Sequence, residues 1–312
     1  MRIGLDIMGS DHGPVVPVRG AVMAQRELPA DVRLVLIGDQ ARILELLTAE
    51  GADPSLFDIV PSTDDITMSD NPTKAFQAKP KSSISIGFHL MKEGKIDAFA
   101  STGNTGAMLV GSIFIVKPIS GVIRPCIPTL VPKEGGGVGV LLDVGANADC
   151  KADVLAQFGL LGSLLAEHVY HVSAPKVALL NIGEEEKKGD ILRQATFELM
   201  KDQAQYTFVG NVEGRDLFND KADVMVCDGF TGNVVLKVIE GFHDLLEMHG
   251  VDDPFLHRFN YENYGGLPVL GVNGNVIIGH GISNDIAIKS MVLAAREVVL
   301  SKLNDRIREA LI

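Results

Sequence analysis

Seven short strings in this 312-residue chain set glycine beside small polar or acidic side chains, the composition from which anion-binding corners are made. They are Asp6-Ile7-Met8-Gly9-Ser10-Asp11-His12-Gly13-Pro14, Ser101-Thr102-Gly103-Asn104-Thr105-Gly106, Asp143-Val144-Gly145-Ala146-Asn147, Asn181-Ile182-Gly183, Asn211-Val212-Glu213-Gly214, Asp228-Gly229-Phe230-Thr231-Gly232-Asn233 and Gly279-His280-Gly281-Ile282-Ser283. Glycine allows a tight turn that brings backbone N–H groups close to an anion, while Asn, Ser and Thr add neutral donors. Any one string is better explained by the demands of a strand-to-helix turn. Seven of them at strand ends favour a shared anionic ligand. Two, Thr102–Gly106 and Thr231–Asn233, also fall where a helix should begin, and a helix start presents unpaired N–H groups and a partial positive charge.

The familiar phosphate and nucleophile motifs are missing. There is no Gly-x-x-x-x-Gly-Lys-Ser/Thr, hence no Walker-type nucleotide hydrolase, and no Gly-x-Gly-x-x-Gly. Gly135-Gly136-Gly137-Val138-Gly139 comes nearest, but it precedes a strand, as a hairpin turn does, where a dinucleotide cradle would follow one. No Gly-x-Ser-x-Gly elbow marks a nucleophilic serine. Cys126, Cys150 and Cys227 are widely spaced without a Cys-x-x-Cys pair, which argues against zinc or redox chemistry and suits a reduced cytosolic compartment. His168 and His171 have metal-ligand spacing but no third ligand nearby, so no metal and no other cofactor is expected. Glu184-Glu185-Glu186-Lys187-Lys188 reads as a solvated loop leading into a helix.

The elements that must position these strings follow from the hydrophobic period. Short β-branched runs predict strands at 2–6, 32–37, 96–100, 127–131, 138–142, 177–180, 207–209, 224–227 and 276–278. Helical periods predict helices at 18–28, 40–50, 83–92, 106–116, 154–168, 191–201, 233–247 and 286–309. In the last, Ile288, Val292, Ala295, Val299 and Leu303 recur at spacings of three and four. Such alternation is the signature of an α/β protein with helices on both faces of a sheet, and in that class ligands bind outside the carboxyl ends of the strands. No linker divides the chain, so one α/β/α unit is expected over 1–312, with the polar, turn-rich 250–268 stretch as a loop or short tip.

Composition narrows the partners. With 28 Lys plus Arg against 40 Asp plus Glu the formal charge is -12, the opposite of the basic stripe that nucleic-acid binding needs. A 46% hydrophobic content supplies an ample core. The longest apolar stretch, 107–116, is about half of the ~20 residues that cross a bilayer, and Asp6 interrupts the start where a secretory signal needs an apolar run.

Read in order, the strings resemble the bacterial phosphate acyltransferases of the PlsX type, with Ile7 and Ser10 as mild variants of the usual Ala and Gly. The likeness runs nearly end to end. It implies a three-layer α/β/α fold with a mostly parallel sheet, similar to phosphotransacetylases and isopropylmalate dehydrogenases, a homodimer, and transfer of a long-chain fatty acyl group from acyl carrier protein to inorganic phosphate in phospholipid synthesis. One departure stands out. Between the Gly232-Asn233 helix and Asn263-Tyr264-Gly265-Gly266 this chain is shorter than many relatives, and Asp244, Glu247, Asp252, Asp253 and Glu262 oppose only Arg258. An acidic tip attracts anionic lipid poorly, so a cytoplasmic protein with at most peripheral membrane contact is expected.

The implied reaction needs little acid–base work. Phosphate is already a nucleophile, so the protein must hold one anion against a thioester carbon and meet the charge that develops on the carbonyl oxygen. Gly103, Asn104, Thr105 and Gly106, with Thr231, Gly232 and Lys237, are the candidate phosphate holders; His280, Ser283 and Asn233 are the candidates for the carbonyl oxygen or the leaving sulfur. Asp6, Asp11, His12, Asp143, Asn147 and Asp228 are expected to fix loops. Acyl carrier protein is acidic, and Lys74, Lys79, Lys81, Lys92 and Lys95, which face only Glu93 across that stretch, form the candidate docking patch. Three other readings remain: a phosphotransacetylase using short acyl-coenzyme A, a noncatalytic sensor of acyl-phosphate or carrier protein, and a metal-dependent dehydrogenase, for which the clustered acids and arginine clamp are not found.

Overall fold

The computed structural model describes all 312 residues, the Tyr261 side chain excepted. In chain order the elements are β1 (Arg2–Asp6), α1 (Val15–Glu27), β2 (Arg33–Gly38), α2 (Gln40–Ala49), β3 (Phe57–Pro61), α3 (Pro72–Ala78), α4 (Ser83–Lys92), β4 (Ala98–Ser101), α5 (Thr105–Gly111), β5 (Pro128–Pro132), β6 (Val138–Leu142), α6 (Ala152–His168), β7 (Lys176–Leu180), α7 (Ile191–Lys201), β8 (Thr207–Val212), β9 (Val224–Val226), α8 (Gly229–Met248), β10 (Gly266–Pro268), β11 (Asn275–Gly279), α9 (Asp285–Leu300) and α10 (Leu303–Ala310). They form two compact units, Met1–Pro118 with Tyr261–Leu300, and Ile119–Asn260 with Ser301–Ile312. The chain passes from one unit to the other at 118–119, 260–261 and 300–301, which is why no single linker is visible in the sequence.

The first unit is built on a six-stranded sheet of order β10-β11-β4-β1-β2-β3, parallel except for the β10–β11 pair. Strands such as Arg33–Gly38 are continuous apolar runs because both faces are covered. Helix α4 packs on one face, and α1 and α9 on the other. Small residues set the spacing. Gly87 lies flat against the Phe99 ring and Gly20 against Ile288, where any larger side chain would overlap. The second unit holds a five-stranded sheet of order β5-β6-β9-β7-β8, with β5 antiparallel to β6 and the rest parallel. Its glycine run 135–137 turns the β5–β6 hairpin, as the sequence suggested. Val235, Leu236 and Ile239 of α8 close one face, and α6 covers the other.

Both units therefore show the expected helices-on-both-faces α/β arrangement, with several differences of detail, among them the short helix α3, which was not expected. Strand β3 was not expected because Asp58 and Pro61 break its apolar pattern, which an edge strand tolerates. β10, three residues long, also ends in proline at an edge. The expected 106–116 helix widens into a π-helical turn at Ser112–Val116. The expected 286–309 helix breaks at Lys302, whose φ of 53° is left-handed; the apolar period runs through the break and hides it. The 250–268 stretch contains 3-10 turns at Leu256–Phe259 and Tyr261–Asn263, and Phe259 is anchored edge-on to Phe218 with ring centroids 5.4 Å apart. Among the described residues no helix is long and apolar enough to cross a membrane.

Candidate active site

Parallel strands place their carboxyl ends together, so in the first unit the loops after β1, β4 and β11 meet at one edge of the sheet. Asp6, the last residue of β1, is buried and accepts hydrogen bonds from the Ser101 hydroxyl (2.7 Å) and the Met8 amide (2.9 Å). Burial pushes its carboxyl above the ordinary value, and these hydrogen bonds pull it back only partly. Ser101 in turn accepts from the Gly103 amide (2.9 Å), and the close approach of Gly9 to Gly103 leaves no room for a Cβ. The opening string is tied to the last one: the Asp11 amide donates to the Gly281 carbonyl (3.1 Å), and the His12 ring reaches the Ile282 carbonyl (3.3 Å). His280 is exposed, and the Ile282 amide makes a long contact of 3.5 Å with its Nδ1.

Two sequence expectations change here. Ser283 is fully buried with its hydroxyl unpartnered, so it is not presented beside the exposed His280. Asn104 is a structural hub: its Oδ1 caps α5 by accepting from the Ala107 amide (3.0 Å), and its Nδ2 faces the carbonyls of Thr67 (3.0 Å), Asp70 (3.2 Å) and Met68 (3.4 Å). The side chain is committed. What this loop offers an anion is backbone N–H, together with the exposed Thr105 hydroxyl.

The second unit repeats the pattern with different partners. Asp143 is fully buried after β6 and accepts from the amides of Ile127 (3.0 Å), Ala146 (3.2 Å) and Asn147 (2.6 Å) and from the Asn147 side chain (2.9 Å). Asn147 also donates to the Pro125 carbonyl (2.8 Å), so the pair fixes its loop. Asp228 caps α8 through the Thr231 amide (2.8 Å) and also accepts from the Thr231 hydroxyl (3.0 Å). Burial would raise its pKa, but the Thr231 amide and the guanidinium of Arg193 outweigh that and hold it below the usual carboxylate value. Gly229 and Gly232 already donate to the carbonyls of Asn147 and Asp228. Thr231 and Gly232 therefore have no backbone donor left for phosphate, which corrects the expectation drawn from their string. Lys237 is exposed and paired with Glu240 (2.6 Å) rather than held for an anion, while Asn233 is exposed one step further along the helix.

Arg193 is the residue that sequence reasoning missed. It sits in the first turn of α7, its side chain only 14% exposed, with Nη2 against Asp228 and 3.1 Å from the Thr231 hydroxyl. The only sequence cue was a basic residue in a first helical turn, where the macrodipole disfavours it.

The basic patch also changes. Lys79 is half-buried, donating to the Asp65 carbonyl and to Asp70, each at 2.7 Å. Lys95 pairs with Glu93 at 2.7 Å. Lys81 precedes α4 and Lys92 ends it, so these two lie at opposite ends of that helix. Asp64, Asp65 and Asp70, just upstream, offset the nearer group. Lys79→Glu is accordingly expected to lower the thermal midpoint through repulsion with Asp70, whereas Lys81→Glu at an exposed site leaves the midpoint in place.

No thiol is set up as a nucleophile. All three cysteines are buried; burial pushes the Cys150 thiol up to about 11, and Cys126 and Cys227 are raised further, again chiefly by burial. Treatment of the folded protein with iodoacetamide at neutral pH should leave activity intact, with all three thiols titrating only after denaturation; rapid inactivation by one adduct would contradict this. Of the acidic groupings, Glu184 with Glu213 and Asp216 is already served by Lys221, which contacts Glu184 (2.7 Å) and Asp216 (2.8 Å). His168 and His171 take part in no such grouping among the described residues.

Residues 1–250 match a family described as fatty acid synthesis protein. The whole chain is 43% identical to a phosphate acyltransferase of Desulforamulus reducens, covering 97% of that protein. The chain belongs to the phosphate acyltransferase family. Phosphate acyltransferases of Dictyoglomus thermophilum (38% identical over the whole chain and 98% of the relative) and Listeria monocytogenes serotype 4b (40%, over 99% and 96%) agree. Like other phosphate acyltransferases it is an enzyme that transfers an acyl group to phosphate, in lipid biosynthesis. Its fold is shared with a phosphotransacetylase from Streptococcus pyogenes (TM-score 0.66, 18% identity, 96% of this chain and 94% of that one). A branched-chain phosphotransacylase from Enterococcus faecalis V583 is also similar (TM-score 0.65, 14%, 96% and 99%).

Proposed function

We propose that this phosphate acyltransferase takes a long-chain fatty acyl group from the thioester of acyl carrier protein and passes it to inorganic phosphate in one direct displacement, in the cytoplasm. The observation that carries the single-step reading is the state of the thiols: every cysteine is buried with a raised pKa, so none can compete with phosphate, already a dianion near neutral pH. The backbone N–H groups of Asn104, Thr105 and Gly106 hold the phosphate. As its oxygen adds to the thioester carbon, His280 Nε2 donates to the carbonyl oxygen, and collapse expels the pantetheine thiolate, giving acyl-phosphate.

We also propose that the chain works as a homodimer. On α8, Phe230 (67% exposed), Val234, Val238 (65%), Phe242 (59%), Leu245 and Met248 (78%) recur every three or four residues, one apolar stripe opposite the Val235–Leu236–Ile239 face that packs on the sheet. The stripe is about 27 Å long at 1.5 Å per residue, a length suited to a self-complementary helix pair. Val238→Asp should convert a sedimenting dimer to monomer; a monomeric parent protein would remove this part of the reading. Acidic residues beside the stripe, Asp244 and Glu247 among them, disfavour an anionic bilayer as its partner.

The deciding assay incubates palmitoyl-acyl carrier protein with phosphate and follows free thiol and acyl-phosphate together. Stoichiometric appearance of both, lost when phosphate is omitted, is expected. Turnover of acetyl-coenzyme A but not of the palmitoyl carrier would make the short-chain phosphotransacetylase reading the better one, and binding without turnover the sensor.

A further inference from the structure

We propose that Met68 is a specificity-determining residue for the transfer: its side chain, with Ile282 and Ile286, forms the apolar surface over which the fatty acyl chain leaves the reacting thioester carbon. This rests on the reading that the 104–106 loop holds phosphate and that the acyl group is a long one. All three residues belong to the first unit, as do that loop and His280.

Met68 stands at the tip of a firmly tied loop. Ile66 is buried beneath it, the Thr67 amide donates to the Asp70 carboxylate (2.8 Å), the Asp70 amide donates to the Thr67 carbonyl (3.2 Å), and Lys79 grips Asp70 and the Asp65 carbonyl. Asn104, at the head of the phosphate loop, reaches the carbonyls of Thr67, Asp70 and Met68 itself. The backbone of Met68 is therefore fixed beside that loop. Its thioether crosses to the last glycine string and packs on Gly281 so closely that a Cβ there would overlap the Met68 methyl group. Gly281 follows His280. Met68 thus reaches from the loop assigned to phosphate to the turn assigned to the carbonyl oxygen, and the thioester carbon has to lie between those two.

The surface around it suits an alkyl chain. Met68 is 43% exposed, Ile282 in the same turn as Gly281 is 49% exposed, and Ile286 in the first turn of α9 is 43% exposed. The other large exposed apolar side chains described in this unit are Leu44, Leu56, Ile113, Phe114 and Leu300, and none of them is in a loop that follows a strand. Nearby Asp11, Asp64, Asp65, Thr67 and Ser69 offer an alkyl chain no apolar contact. Methionine is unbranched and polarizable, so it can follow chains of different lengths. Each methylene moved from water onto such a surface is worth about two- to fourfold in kcat/KM.

The test measures kcat/KM of the full-length enzyme with inorganic phosphate and acyl carrier protein loaded with hexanoyl, decanoyl or palmitoyl groups. In the parent the value should climb with chain length. Met68→Ser should lower it about tenfold or more for palmitoyl and less than about twofold for hexanoyl, with KM for phosphate unchanged. Met68→Leu, apolar and of similar volume, should stay near the parent throughout the series. Ile282→Ser, an independent change in the other loop, should flatten the same profile, and it decides the matter if the Met68→Ser protein does not fold. An equal loss at every chain length would mean that Met68 only steadies its loop, and would overturn the proposal, as would an unchanged profile in the Ser variants. Irradiating the parent with a carrier whose acyl chain bears a mid-chain diazirine gives a readout independent of turnover. Adducts at 66–69 or 280–286 are expected; adducts confined to α8 would overturn the assignment. A parent that turns over hexanoyl but not palmitoyl groups takes the long-chain reading down together with this one, whereas a parent that prefers palmitoyl, with Ser variants that keep the preference, removes only the role of Met68.

Discussion

Asp143→Ala should melt about 8–15 °C below the parent enzyme, the largest stability loss we expect from any single substitution near the site. The carboxylate is fully buried and satisfies four N–H groups, from Ile127, Ala146 and both nitrogens of Asn147. Alanine removes all four acceptor contacts at once and leaves part-buried donors without that partner. Each orphaned donor costs about 1–3 kcal/mol, less than additively where the loop can relax, so about 4–5 kcal/mol is the expected total, a large part of a typical 5–15 kcal/mol stability. Asp143→Asn is nearly isosteric but turns an NH2 towards groups that are all donors, and should recover only about half of the loss. Both values come from urea or thermal unfolding followed by circular dichroism. An Ala variant melting within about 3 °C of the parent would mean that the loop refills these bonds on its own and that the carboxylate is not its anchor.

The role of Asp143 was legible in outline from sequence, because an Asp followed by glycine and Asn at a strand end is turn chemistry. What could not be read is that its partners include Ile127, 16 residues back, on the far side of a hairpin. The same divide runs through the fold. Helices at 83–92 and 191–201 were expected at the bounds they have, because a Ser or Asp cap and an apolar period are local signals. β3, the left-handed break at Lys302 and the division into two units depend on edge position, backbone conformation and chain crossings, none of which leaves a local period.

Polar commitments were the harder part of the site. Sequence spacing identified Thr231 and Gly232 as donors, and the structure places their donors on Asp228, one turn away and already in the same string. Lysine counting was blind to the acids just outside its window, so Lys79 read as free although Asp70 holds it. Arg193 lies 35 residues from Asp228, and only the parallel packing of β7 beside β9 brings the two following helix starts together. Short-range patterns thus located the corners, while long-range pairing decided which groups in each corner remain available to a substrate.

Asn104→Ala should lower kcat/KM by about a hundredfold or more, chiefly through KM for phosphate, with a smaller loss of stability. Two functions end together. Without Oδ1 the Ala107 amide loses its cap, worth about 1 kcal/mol, and the first turn of α5 that carries Thr105 and Gly106 is free to fray. Without Nδ2 the carbonyls of Thr67, Met68 and Asp70 lose their common donor, and with them the tether of the 67–70 loop. Asn104→Asp separates these effects. Aspartate caps a helix as well as asparagine does, so α5 should stay formed, but its carboxylate faces three carbonyl oxygens and the incoming phosphate. The Asp variant should therefore be at least as inactive as the Ala variant even if its helix start is better kept, an ordering that steady-state kinetics and hydrogen exchange at the Ala107 amide can read side by side. Should both variants bind phosphate within about threefold of the parent, the amides of this loop are not where phosphate sits, and the proposed transfer would need another cradle.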